Sequence, residues 1–136
     1  MTYLERITYL VGNFIELSQY VLKNAYRVAA LYENSKGLDC YTRGSEMIVQ
    51  SEENAKRLCK ESSLLTGKEL EDYFLGKGLS DRDYKAIVRI LRKREYVMNY
   101  FFIENAYGLS KEDVMVYESK IQELEDLCKD ASVLIG

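Results

Sequence analysis

The chain has 136 residues, 47% hydrophobic and 30% charged, which suits one globular domain with a core of its own and excludes a disordered chain. Its 19 basic and 22 acidic residues give a net charge of −3, so the total carries no signature of nucleic-acid binding. Histidine is absent, which removes the commonest general acid–base and the commonest zinc ligand, and with them any Ser-His or Cys-His nucleophile built within one chain.

The first predicted helix opens on Thr2-x-x-Glu5, the spacing of a capping box. Leu4, Ile7, Val11, Phe14, Ser18, Val21, Ala25, Val28 and Tyr32 then repeat at steps of three and four, with Leu10, Leu17 and Leu31 widening the stripe. Such a length suits a bundle or a dimer seam, and the helix is expected to end near Asn34–Gly37, where glycine offers a left-handed cap. Residues 37–45 (GLDCYTRGS) read as a loop. Ser45 is placed to cap a second, more polar helix through about Ser62, with Met47, Ile48, Ala55, Leu58 and Cys59 on its apolar side.

Thr66-x-x-Glu69 forms another capping box, opening a short helix through Leu75 that buries Leu70, Tyr73 and Phe74 before Gly76-Lys-Gly78 stops it. Ser80 caps the central helix, and Asp81 and Asp83 suit its N-terminal dipole. Along Tyr84–Tyr107 a stripe of Tyr84, Ile87, Leu91, Arg94, Met98, Phe101 and Asn105 places one charge, Arg94, in an apolar row. A buried guanidinium costs several kcal/mol or more unless paired, so Arg94 must be paired, kept wet or used. After a break near Gly108, Ser110 with Glu112 and Asp113 starts a last helix, on which Val114, Tyr117, Ile121, Leu124, Cys128, Ala131 and Ile135 form the stripe.

No segment alternates with period two between hairpin turns, so the expectation is an all-α four-helix bundle: long N-terminal, central and C-terminal helices, a weaker fourth, and one short connecting helix in a single domain over residues 1–136. Cys40, Cys59 and Cys128 stand far apart without a C-x-x-C pair and read as free thiols in a reducing cytosol. Charged residues interleave the N-terminal apolar ones and no run approaches the ~18 apolar residues of a membrane span. The expectation is a cytoplasmic protein with no membrane partner, no cofactor and no metal.

Three features bear on function. Arg82, Lys85, Arg89, Arg92, Lys93 and Arg94 stand against Asp83 alone, and with the preceding short helix and turn they read as a MarR-like helix-turn-helix whose basic helix, residues 80–94, meets DNA. The same run reads as the solvated face of a bundle helix. That reading is favoured because the helix is long for a recognition helix, no wing hairpin follows, and the total charge is acidic. Twelve tyrosines, among them Tyr3, Tyr9, Tyr20, Tyr26 and Tyr32 on the first helix, offer a stacking surface for bases or, the favoured reading, the margin of a core or interface with hydroxyls in water.

The third feature is the segment Leu91–Phe102, LRKREYVMNYFF. It resembles the signature of HEPN-like helical proteins, in which Arg-Asn, three residues and His lead into an aromatic pair. Leu65–Ser80, LTGKELEDYFLGKGLS, is similar to the short helix and glycine turn that precede the signature in some members. The resemblance implies a dimeric all-α bundle, often from toxin–antitoxin or other defence systems, whose active members cleave RNA without metal using the Arg and His of both protomers. Arginine there holds the scissile phosphate while histidine moves a proton. Arg94 keeps the arginine, but Glu95 stands at the Asn position and Asn99 at the His position. Asparagine cannot exchange a proton near neutral pH, and a carboxylate at 95 repels phosphate while being able to hydrogen-bond Asn99 one turn on. The expectation is therefore a non-catalytic, homodimeric binding module. Arg94, Glu95 and Asn99 are its vestigial site, Tyr96 and Phe102 lie near its groove, and a protein partner of antitoxin type, RNA or DNA is its ligand. A ribonuclease retaining Arg94 and the DNA-binding regulator are the alternatives.

Overall fold

Thr2 caps the longest helix as its spacing predicts, its Oγ1 accepting the Glu5 backbone N–H at 3.1 Å. The structure, a computed structural model, describes residues 2–37, 45–102 and 114–135. Five helices are described: α1 (Tyr3–Gly37), α2 (Ser45–Glu61), α3 (Gly67–Phe74), α4 (Asp81–Asn99) and α5 (Val114–Ile135). Among the described residues there is no strand, so the all-α class is as expected. Cys40 and most of the expected 37–45 loop, the side chains of Met47 and Ile48, the continuation through Asn105 to Tyr107, the break at Gly108 and the Ser110 cap lie outside the described residues.

The chain divides into two compact units, one of Met1–Val21 with Arg89–Gly136 and one of Leu22–Val88, and α1 and α4 each run from one into the other. In the first unit α1 and α5 lie parallel. The Tyr3 hydroxyl donates to Glu118, Arg6 to Glu125 at 3.1 Å, and Asn13 Nδ2 to Cys128 Sγ at 3.7 Å, so both helices advance together. Ile7, Phe14, Leu124 and Phe101 are wholly or almost wholly buried at the centre, each such side chain contributing about 1.5–3 kcal/mol. Ser18 is equally buried and satisfies its hydroxyl on the Ile15 carbonyl at 2.6 Å.

In the second unit α2 packs against α1: Arg27 bridges to Glu52 at 3.3 Å, Arg57 to Glu33 at 2.8 Å, and Tyr26 meets Ser62, just past the end of α2, at 2.6 Å. Because Ser62 Oγ donates to the Leu58 carbonyl at 2.8 Å, the Tyr26 hydroxyl is the donor to Ser62. Tyr26, Tyr73 and Phe74 pack as tilted and edge-on rings at centroid distances of 5.0–6.3 Å. Gly76 and Gly78, with φ of +74° and +90°, end α3 as the sequence predicts.

Several expectations are corrected. On α1 the buried set moves from Val21 and Ala25 to Tyr26, Ala29 and Ala30, leaving Val28 and Leu31 exposed. A 3.5-residue repeat lags a straight 3.6-residue helix by about 20° per heptad, enough over three heptads to turn the stripe onto the following residues. Tyr26 is consequently a core residue, unlike the water-facing tyrosine expected, while Tyr3, Tyr9 and Tyr20 stay exposed. Leu4 and Val114, in the first turns of α1 and α5, are exposed as well. Thr66 holds the N-cap position of α3 without a side-chain cap bond, since Gly67 enters the helix at a φ of +54°. That helix ends at Phe74 and buries Leu70, Glu71 and Phe74, with Tyr73 at the margin. Cys59 is exposed.

Candidate functional site

Helix α4 begins where Ser80 Oγ accepts the Asp83 N–H at 3.2 Å, and its acidic first turn faces the positive end of the helix dipole. Ile87, Ile90, Leu91 and Val97 are buried on it. At about 100° per residue these four lie within roughly 60° of Arg94, so the arginine stands in the middle of the buried face. The expected stripe needs one change: Val97 takes the inward place given to Met98, which is 52% exposed. The helix ends at Asn99, Tyr100 forms a turn, and its N–H still reaches the Tyr96 carbonyl at 2.8 Å.

Arg94 is half-buried, and its Nε is sealed from solvent without a hydrogen-bond partner. Nε is the single sealed, unpartnered side-chain atom among the described residues, so the outer guanidinium nitrogens keep the access to water that the residue retains. Among the described residues no carboxylate pairs with Arg94. Leaving such an N–H unmade costs about 1–3 kcal/mol.

Glu95 and Asn99 are both exposed, about 100° and 140° around the helix from Arg94. The three side chains do not converge, and the hydrogen bond that their spacing allows between Glu95 and Asn99 is not formed among the described residues. The aromatic pair divides as well. Phe101 is buried, with Tyr96 edge-on at 6.2 Å, whereas Phe102 is 41% exposed. On α4, Arg94, Glu95, Met98 and Asn99 thus offer one half-buried cation, one exposed anion, one exposed apolar side chain and one exposed amide, and Phe102 follows beyond the turn at Tyr100.

The basic cluster is separated from Arg94. Arg82, Lys85, Arg89, Arg92 and Lys93 are all exposed and sit about 100–180° away from it around α4. Arg82 and Lys85 belong to the second unit, the other three to the first. Arg89 is held by Asp130 of α5 at 3.0 Å, an exposed pair of the kind worth about 0.2–1 kcal/mol, and Arg92 is engaged as well. Lone-pair and thiol chemistry is thin elsewhere. Burial pushes the Cys128 thiol above its ordinary range, against the opposing Asn13 hydrogen bond, so it is a poor nucleophile.

Among the described residues no group of three His, Cys, Asp or Glu side chains is placed to hold a metal ion, and no helix is long and apolar enough to cross a membrane. Compared with protein-family models, curated proteins and solved structures, the chain matches none. The sequence locates the Arg94 position but not the exposure of Met98 beside it. It also misses the buried Tyr26–Ser62 pair, whose only signal is a serine just past a helix end.

Proposed function

We propose that the chain is a non-catalytic, HEPN-like helical protein acting as a binding or interaction module, a homodimeric four-helix bundle with α3 as its connecting helix. Its setting is a toxin–antitoxin or related defence system, with a protein partner of antitoxin type. The observation that carries this reading is Arg94. A guanidinium stands at the signature position, half-buried and with Nε unsatisfied, yet its two companion positions hold an outward carboxylate and an outward amide. Arginine can fix an anion, but neither Asn99 nor any histidine can carry the proton that cleavage next to a 2′-hydroxyl requires. Glu95 adds a negative charge one residue from the place a phosphate would occupy. Incubating the purified protein, without metal, with a mixture of structured and single-stranded RNAs tests this directly. The expected result is intact RNA. Fragments that appear with the native chain and vanish with Arg94→Ala would make it a ribonuclease instead.

A second reading, a DNA-binding regulator, is favoured by one observation: Arg82 and Lys85 are exposed on α4 in the unit that holds the α3–glycine turn, and Arg89, Arg92 and Lys93 are exposed on α4 in the other. It predicts duplex binding that weakens steeply with salt as counterions are released. Absence of any salt-sensitive shift on genomic fragments rejects it.

A further inference from the structure

We draw no further inference here: the strongest candidate, the apolar patch where the first turns of α1 and α5 lie side by side with Tyr3, Leu4, Val114 and Met115 exposed, carries nothing because no feature of the structure shows what covers it.

Discussion

Replacing Arg94 by methionine is expected to stabilise the protomer. The change removes a guanidinium whose Nε is sealed without a partner and puts an unbranched apolar side chain among Ile90, Leu91 and Val97. Relief of the unmade N–H contributes about 1–3 kcal/mol. The arginine stem already packs on its neighbours, so the added apolar burial is small, and the expected gain stays near that range. For a chain of this size each kcal/mol moves the melting temperature by roughly 3–5 °C. Urea unfolding at a low concentration, near the limit of detection, reads the protomer. A loss of more than about 1 kcal/mol at the low concentration would refute the reasoning, because Arg94 would then be satisfied within its own protomer.

Two glycines are expected to respond oppositely to alanine. A Cβ at Gly78 would lie 2.6 Å from that of Tyr32 at a φ of +90°, so Gly78→Ala should cost about 2–4 kcal/mol in denaturant unfolding. Gly12, inside α1 with nothing within 4 Å of its added Cβ, should gain up to about 1 kcal/mol as alanine. At the buried hydroxyl pair, Ser62→Ala should cost more than Tyr26→Phe, about 1–3 against 1 kcal/mol. The first removes the acceptor of the buried tyrosine hydroxyl at 2.6 Å and the Ser62 bond to Leu58 with it, while the second leaves Ser62 bonded to the Leu58 carbonyl. Equal costs would reject that donor assignment. Burial holds the Cys128 thiol above its ordinary 9.0 and is the main cause holding the Tyr73 phenol above 10.0. Both favour the neutral form in the folded state, so their contribution is complete below about pH 9 and lost as pH rises through the raised values. Urea midpoints should fall as pH rises above about 9, and Cys128→Ala should remove the thiol's share of the fall.

The helices were largely legible because polar caps and apolar periodicity are local signals. Thr2, Ser80, Gly76 and Gly78 all act as their spacing implies. What was not legible depends on packing at a distance. A three–four stripe allows either the third or the fourth residue to turn inward. Only the neighbouring helices decide that Val97 and not Met98 is covered, or that Ala29 and Ala30 replace Val28 and Leu31. Thr66 misled because a capping box needs a helical first residue, and Gly67 takes a left-handed one. At the candidate site the oddity of Arg94 in an apolar row was visible from spacing. The unsatisfied Nε and the outward divergence of Glu95 and Asn99 required coordinates, since sequence distance along a helix does not reveal which charges find partners on other helices.

The mass of the chain in solution tests the proposed homodimer most directly. Sedimentation equilibrium of the native protein at micromolar concentration and moderate salt is expected to give twice the 15.8 kDa of one chain. A single 15.8 kDa species that persists to hundreds of micromolar at low salt contradicts it.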